Sequence, residues 1–176
     1  PTPMLLKPST TALDLTIDGR NITSSDSNFT FTFVDLAIAS IHPNYGTING
    51  DTVVSVRLRK GNGANVSHCW FGDSKVDATI VDVDEVICKS PQRKTVGAVR
   101  VGISTNGEDS TWHNGLFEYV KDATVSGVKP KSVSEIGGTI MIVSGYDFPN
   151  VIGLNCLIGE EVTSAEWIWE SMVEGQ

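Results

Sequence analysis

The three cysteines are the side chains of this sequence with the most reactive chemistry. Cys69 and Cys88 each lie in a run of β-forming residues, and Cys156 lies far along the chain from both. A nucleophilic cysteine needs a nearby base that takes its proton, and the residues around Cys156 in sequence supply none. We therefore predict a buried single thiol at Cys156 and no catalytic cysteine.

The histidines and the acidic residues lack the spacing of a metal site. His42, His68 and His113 are scattered over three stretches, so neither a zinc site nor a hydrolase site is predicted. The acidic run Asp-Val-Asp-Glu at 82–85 has the carboxylates that Ca²⁺ prefers, but not the glycine and ligand spacing of a dedicated loop. A solvated turn is the favoured interpretation of this run, and a calcium site is the alternative. No phosphate loop, catalytic triad or carboxylate pair is recognisable, so we predict neither a cofactor nor an enzymatic activity.

The charge balance opposes nucleic-acid binding. The 176 residues carry a formal net charge of −8 and a pI near 4.7, whereas nucleic-acid affinity comes largely from Lys and Arg. The basic cluster at 57–60 is interpreted as a solvated strand end that protects a sheet edge, with a ligand patch as the alternative. No apolar run approaches the length of a membrane span. The tryptophans, Trp70, Trp112, Trp167 and Trp169, are assigned to core packing or shielding by glycans rather than to sugar binding.

Three Asn-x-Ser/Thr sequons, at Asn21, Asn28 and Asn65, predict N-linked glycans. All three lie in polar or turn-flanked stretches where a glycan is tolerated. They favour an extracellular or cell-surface location, in which disulfides also persist. Because the chain opens on Pro1 without a signal peptide, we expect it to be a processed or excised segment.

The elements that carry these residues repeat at a fixed offset. The matched pairs, 87 positions apart, are Ile41 and Val128, Pro43 and Pro130, Gly50 and Gly137, Thr52 and Thr139, Cys69 and Cys156, and Gly72 and Gly159. An offset kept through prolines, glycines and a cysteine indicates a repeated structural unit. In both copies turn residues precede a run of β-formers, so the unit is predicted to consist of strands. Gly175 takes the position of Cys88 in the second copy, which leaves Cys156 unpaired.

At these residues the chain resembles the TIG (IPT) family, immunoglobulin-like domains of the plexin and transcription-factor type. The motifs that carry the resemblance are apolar-x-Pro at 41–43, a glycine turn at 50–52, Cys-x-Phe-Gly at 69–72, apolar-x-Cys-x-x-Pro at 86–91 and Phe-x-Tyr at 117–119. The resemblance implies an all-β, immunoglobulin-like β-sandwich. The alternating strand patterns and the frequent turn signals predict no helix longer than a turn or two. The resemblance also implies a disulfide between Cys69 and Cys88, and two buried free thiols are the alternative.

The repeat divides the chain into one complete unit and two partial ones. Residues 36–120 hold a complete TIG-like domain. Residues 1–35 have the sequence shape of its last two strands, with a strand through Leu13–Ile17, a turn at Asp18–Gly19 and a return strand through Phe29–Phe33. Residues 121–176 have the shape of its first strands. We interpret 1–35 as a closing half and 121–176 as an opening half, completed by residues 1–35 of a neighbouring unit.

Completion of one unit by the next predicts a head-to-tail polymer. The alternatives are a swapped dimer and an arbitrary fragment of a long covalent repeat, in which a peptide bond would join residue 176 of one unit to residue 1 of the next. The predicted function is a non-enzymatic, glycosylated, extracellular structural repeat protein whose partners are copies of itself, assembled into a filament. The alternative is a ligand- or protein-binding ectodomain fragment of a cell-surface TIG-domain receptor. A module of a surface enzyme or a dimerisation domain of a transcription factor is disfavoured by the missing active site, the charge and the sequons. The predicted assembly interface comprises Leu13, Leu15, Ile17, Phe29, Phe31, Phe33, Trp167, Ile168 and Trp169.

Overall fold

The structure, a computed structural model, describes residues 9–12, 14–22, 30–59, 65–169 and 172–175. All seventeen secondary-structure elements in these ranges are β-strands. The predicted all-β fold is therefore confirmed. Alternating apolar and polar residues between turns explain this outcome, because such a pattern buries one face of a strand and solvates the other. In these ranges no helix is long and apolar enough to cross a membrane.

The first four strands form two hairpins, one inside the other. They are β1 (Ser9–Ala12), β2 (Thr16–Ile17), β3 (Arg20–Asn21) and β4 (Thr30–Phe33). The turn at residues 18 and 19 is present, with positive φ at both, but it joins only the short strands β2 and β3. β4 pairs with β1, with Ser9 opposite Phe33.

The predicted return strand through Phe29–Phe33 is present as β4, but the prediction that it pairs with a strand through Leu13–Ile17 is wrong, because its partner is β1. A two-residue turn at 18 and 19 would place Phe33 opposite residue 4, whereas its observed partner is Ser9. Extra residues between β3 and β4 shift the register, and the sequence pattern did not reveal the shift. Leu13 and Phe29 lie outside the described residues.

The next eight strands form the complete unit. They are β5 (Ile38–His42), β6 (Tyr45–Thr47), β7 (Val53–Leu58), β8 (His68–Phe71), β9 (Ser74–Ile80), β10 (Glu85–Lys89), β11 (Gly97–Ser104) and β12 (Thr111–Val120). They are hydrogen-bonded in the order β5-β7-β10-β9-β8-β11-β12-β6, and the β12–β6 pair is parallel. Buried residues from both ends of this order meet in one hydrophobic core, so the strands fold into two facing layers.

The core of this unit follows from strict alternation along its strands. Val54, Val56 and Leu58 are buried in β7, whereas Val53 and Arg57, which alternate with them, are exposed. On the opposite layer the ring of Phe117 meets the rings of Phe71 and Tyr119 edge-on, with centroids 5.2 and 5.1 Å apart. Such aromatic pairs stabilise a core by about 0.5–1.5 kcal/mol each beyond area burial.

The last five strands form a second sheet that repeats five strands of the complete unit. They are β13 (Thr124–Lys129), β14 (Met141–Tyr146), β15 (Asn155–Ile158), β16 (Glu161–Trp169) and β17 (Met172–Gly175), in the order β13-β14-β17-β16-β15. This is the order β5-β7-β10-β9-β8 moved along by the offset, and the pair Val54↔Cys88 becomes Met141↔Gly175. Within the described residues this sheet has no counterpart of β6, β11 or β12.

Candidate functional site

Two of the three histidines, His68 and His113, make local hydrogen bonds. His68 Nδ1 is hydrogen-bonded to the Ser67 hydroxyl at 2.7 Å, and its Nε2 lies 3.6 Å from the Asp77 carboxylate. His113 Nδ1 accepts the backbone N–H of Gly115 at 3.0 Å. Over the ranges that the structure describes, no three His, Cys, Asp or Glu side chains come together as ligands of one ion.

The acidic run at 82–85 forms the turn between β9 and β10. Asp82 Oδ1 accepts the backbone N–H of Asp84 at 2.7 Å, which closes the turn. Glu85 points to the strand side, where its carboxylate lies 3.6 Å from Arg57 and accepts a hydrogen bond from the Ser55 hydroxyl. The carboxylates thus serve the turn and the neighbouring strand, in agreement with the solvated-turn interpretation.

A disulfide joins Cys69 of β8 to Cys88 of β10, the pair that the TIG resemblance implies. Both residues are buried in the core. Cys156 is a free cysteine and only half-buried, so the prediction of a buried thiol is wrong. Its equivalent Cys69 is covered because Ile103 of β11 lies beside it, and within the described residues nothing pairs with β15 at that edge.

Two tryptophans of the complete unit pack against cations of their own domain. Trp70 and Trp112 flank Gly102 across three adjacent strands. Lys75 Nζ lies 5.8 Å from the Trp70 ring, and the Arg100 guanidinium lies 5.3 Å from the Trp112 ring. Cation–π contacts of this kind contribute about 0.5–1 kcal/mol at exposed sites. These contacts support packing rather than sugar binding as the role of both rings.

An apolar groove lies on the inner face of the five-stranded sheet and encloses about 450 Å³. Its walls include Val125, Val128, Met141, Val143, Cys156 and Ile158. Their equivalents at the 87-residue offset are Ile38, Ile41, Val54, Val56, Cys69 and Phe71, all of which belong to the buried core of the complete unit. The groove is thus made of positions that this fold uses for its interior.

The side chains that line the groove are much more exposed than their equivalents in the complete unit. Val125 is 62% exposed where Ile38 is 7% exposed, and Ile158 is 47% exposed where Phe71 is 3% exposed. In the complete unit β11 and β12 supply the cover, since Val101, Ile103, Phe117 and Tyr119 of those strands belong to the same core. The groove therefore consists of positions whose equivalents are covered by β11 and β12 in the complete unit, and no strand among the described residues covers them.

The β1–β4 hairpin carries a motif similar to that of the β11–β12 hairpin. The motif Phe-Thr-Phe-Val at 31–34 resembles Phe-Glu-Tyr-Val at 117–120, and both lie at the end of the second strand of an antiparallel pair. When the two motifs are aligned, Ser9↔Phe33 corresponds to Gly97↔Tyr119 and Thr11↔Phe31 to Val99↔Phe117. The two hairpins thus resemble each other in motif and in antiparallel pairing.

The assembly interface predicted from the sequence includes N-terminal residues, and those whose side chains the structure describes are exposed or half-buried. Leu15 is 59% and Ile17 is 60% exposed, and Phe33 is half-buried at the end of β4. Leu13 and Phe29 fall outside the described residues, and only the backbone of Phe31 is described.

The C-terminal part of that interface does not line the groove. Trp167 is half-buried, and its Nε1 donates to the carbonyl of Phe148 at 3.0 Å, so it packs within its own unit. Ile168 and Trp169 are exposed, next to an irregularity in the β16–β17 pairing. Sequence reasoning missed Val125, Val128 and Ile158, although their offset from core positions of the complete unit was a signal that could have found them.

Two of the three sequons lie within the described residues. Asn21 at the end of β3 and Asn65 before β8 are both exposed, as a glycan requires. Asn28 lies outside the described residues. Glycosylation at the three sites stays a prediction.

Comparison with known proteins identifies the complete unit. Residues 36–119 match the family model of the IPT/TIG domain. Fibrocystin-L of Homo sapiens is 25% identical over 123 residues, which are 69% of this chain and 3% of Fibrocystin-L. Plexin-A2 of Homo sapiens is 27% identical over 121 residues, which are 66% of this chain and 6% of Plexin-A2. The chain thus spans a small fraction of the relatives that it matches.

The solved structure of the plexin A4 full extracellular region has a similar fold. It superposes with a TM-score of 0.55 at 22% identity, over 85% of this chain and 13% of that one. The immunoglobulin-like sandwich and the TIG resemblance predicted from the sequence are confirmed. The disulfide requires an oxidising compartment, and with the similarity to plexins it gives the chain an extracellular or cell-surface location.

Proposed function

We propose that this chain, whose residues 36–119 form an IPT/TIG domain, is a non-catalytic, protein-binding segment of an extracellular or cell-surface protein. The observation that carries the proposal is the match to the IPT/TIG domain together with the similarity to plexins, and the surface that we assign to binding is the apolar groove of the five-stranded sheet. Large exposed apolar patches are rare on soluble proteins, and they mark surfaces that bind a partner. Of the functions predicted from the sequence, the comparisons therefore favour the ectodomain segment over the filament.

The mode of binding that the groove supports is strand addition. The edge of β15 that faces away from β16 pairs with no described strand, and its backbone groups are available to an incoming extended segment. Strand addition gives affinity through main-chain hydrogen bonds and specificity through pockets for alternate side chains. Val128, Cys156 and Ile158 line such a pocket beside this edge.

The test presents the whole chain on cells through a membrane anchor and adds an amine cross-linker that cannot cross membranes. We expect mass spectrometry to find cross-linked peptides between this chain and other extracellular protein chains. The variant Ile158→Glu, which puts a charge in the groove, should lose these cross-links. The matched variant Ile152→Glu should keep them, because Ile152 is 99% exposed and does not line the groove. Cross-links confined to single chains would contradict the proposal.

Head-to-tail assembly into a filament is a second candidate, favoured by one observation. The β1–β4 hairpin carries a motif similar to that of the β11–β12 hairpin, and the five-stranded sheet lacks a counterpart of that hairpin among the described residues. A hairpin and an uncovered sheet at opposite ends of one chain make a heterologous contact, which propagates unless rotation closes a ring.

Negative-stain microscopy distinguishes this candidate from the first. The full chain should form fibres in purified form, and a chain that begins at residue 36 should not. Fibres that persist unchanged after this truncation would show that the N-terminal hairpin does not join the units.

A further inference from the structure

The sequence contains four asparagines that are each followed by glycine, a dipeptide in which the glycine nitrogen can attack the side-chain amide. The pairs begin at Asn49, Asn62, Asn106 and Asn114, and Asn62 lies outside the described residues. Glycine favours the attack because it has no side chain and leaves the backbone free to rotate. In a folded chain the outcome depends on the group that holds the N–H of the glycine, and this group differs among the three described pairs.

At Asn114 a bulge removes the glycine N–H from the sheet. The register between β11 and β12 shifts at this point, and one residue of β11 lies opposite residues 113–115 of β12. Extra residues in one strand of a pair interrupt the ladder of hydrogen bonds. The N–H of Gly115 donates instead to Nδ1 of His113 at 3.0 Å.

The imidazole of His113 is thereby placed as a general base for the nitrogen of Gly115. A ring nitrogen that accepts an N–H carries no proton of its own, so Nδ1 directs its lone pair at the amide. The ring reaches this position because Gly115 lacks a side chain. A Cβ there would lie 2.7 Å from Cε1 and 3.0 Å from Nδ1 of the ring. The amide to be attacked belongs to Asn114, the exposed residue between them, so nucleophile, base and target are three consecutive residues.

In the other two described pairs the glycine N–H donates to an oxygen that is not a base. The N–H of Gly50 donates to the carbonyl of residue 47 at 3.0 Å, and the N–H of Gly107 donates to the Ser104 hydroxyl at 2.8 Å. The amide of Asn106 is also held in place, because its Oδ1 accepts the backbone N–H groups of residues 108 and 109. Asn106 therefore serves as an internal control for Asn114.

We propose that Asn114 is a self-modifying site, at which His113 promotes conversion of the asparagine to aspartate and isoaspartate. The nitrogen of Gly115 forms a bond to Cγ of Asn114, and its proton passes to Nδ1 of His113. The imidazolium returns a proton to Nδ2 of Asn114, which leaves as ammonia. Water then opens the resulting succinimide ring at either carbonyl, and the product adds a carboxylate to the surface of the complete unit. This site is independent of the apolar groove and of the proposed binding function.

The experiment incubates the full chain near neutral pH in water enriched in heavy oxygen, which labels the products of the incubation but not those of later digestion. Peptide mapping by mass spectrometry should find labelled aspartate and isoaspartate at residue 114, with faster conversion there than at Asn106. Equal rates at the two sites would overturn the proposal. So would aspartate without isoaspartate, because direct hydrolysis of the amide forms no ring.

The variant His113→Gln tests the base, since a glutamine amide accepts an N–H but takes up no proton. Conversion at Asn114 should slow by at least about tenfold, a conservative figure for a positioned base, whereas the rate at Asn106 should not change. In urea the wild type should convert at both sites at similar rates, because the ring is no longer held against the amide. This second measurement does not require the variant to fold. An unchanged rate at Asn114 in the variant, or a difference between the sites that persists in urea, would contradict the role of His113.

Discussion

At the scale of single residues, the complete unit depends on a disulfide and a buried tyrosine. Cys69 and Cys88 connect β8 and β10 inside the core, and both are at most 1% exposed. A cross-link that closes a short loop stabilises a domain mainly by restricting its unfolded chain. The same residues would otherwise be two small apolar side chains of the interior.

Removing this disulfide should lower the stability of the complete unit. Replacing both Cys69 and Cys88 by Ala should reduce the free energy of unfolding by about 3 kcal/mol, the loss expected when a loop of this length is opened. Urea denaturation followed by tryptophan fluorescence measures the change. Cys156→Ala is the control and should leave the stability of this unit within about 0.5 kcal/mol. An equal loss in both variants would contradict a structural role for the disulfide.

Tyr119 predicts a specific dependence of stability on pH. Burial raises the pKa of its phenol to about 12, although the Arg93 guanidinium acts in the opposite direction. An unfolded tyrosine has a pKa of about 10, so the unfolded chain releases this proton first as the pH rises. The stabilisation is fully present below about pH 10 and is lost as the pH rises toward 12, by at most about 1.4 kcal/mol per pH unit.

The variant Tyr119→Phe isolates this effect. At neutral pH it should lose about 1 kcal/mol, because the Tyr119 hydroxyl donates to the carbonyl of Pro91 at 3.0 Å. Between about pH 10 and pH 12 its stability should fall less steeply than that of the wild type, as measured by urea unfolding at several pH values. Tyr146→Phe, at a residue 65% exposed, should retain the wild-type slope. Identical slopes for Tyr119→Phe and the wild type would refute the assignment.

At the scale of elements, the turn at Gly50 and Asp51 directs the chain into β7. Gly50 has φ of 84° and Asp51 has φ of 59°, and Asp51 N–H donates to the carbonyl of Ser90 at 2.8 Å. A Cβ at Gly50 would lie 2.7 Å from the backbone nitrogen of Gln92. The glycine is thus required by both the backbone angle and the close approach of a second chain segment.

Gly50→Ala should destabilise the unit by at least about 2 kcal/mol, because it combines a strained backbone with a clash. Gly72→Ala is the matched control in the same unit. Gly72 also has positive φ, 61°, but a Cβ there would meet Val99 at 3.4 Å, an ordinary contact, so its cost should be about 1 kcal/mol. Thermal unfolding of both variants measures the difference. A loss at Gly72 equal to that at Gly50 would show that the approach of Gln92 is unimportant.

At the scale of the whole molecule, the two sheets share one strand order but differ in how well other strands cover their inner faces. Both use the same strand order and the same turn positions, but in the described residues only the first has the strands that cover its inner face. Covering apolar surface is the dominant favourable contribution to folding. Residues 36–120 should therefore be stable by themselves, and residues 121–176 by themselves should be less stable.

Fragments test this difference. A fragment of residues 36–120 should give a β-type circular-dichroism spectrum and one cooperative unfolding transition. A fragment of residues 121–176 should lack a cooperative transition by itself, because groove residues such as Val125 and Ile158 stay exposed. Its transition should appear on addition of a peptide of residues 1–35. A cooperative transition of the isolated 121–176 fragment would contradict this difference.

Much of this architecture was predictable because local patterns determine it. Alternation of apolar residues determined the strands, and the fixed offset of 87 residues determined that two sheets share one plan. The motifs around Cys69, Cys88 and Phe117 resembled those of a known sandwich family and implied its disulfide. These features depend on residues close in sequence, or on a family pattern that holds them in order.

The register of the N-terminal hairpin and the walls of the groove were decided by tertiary structure. Sequence alternation does not reveal how many residues a loop inserts between two strands, so it placed the return of Phe29–Phe33 on the wrong partner. It also assigned Trp167 to an outer interface, whereas its indole bonds the carbonyl of Phe148 inside its own unit. Which apolar side chains stay exposed depends on strands that are distant in the chain, and a one-dimensional pattern contains no information on which of those strands is present to cover them.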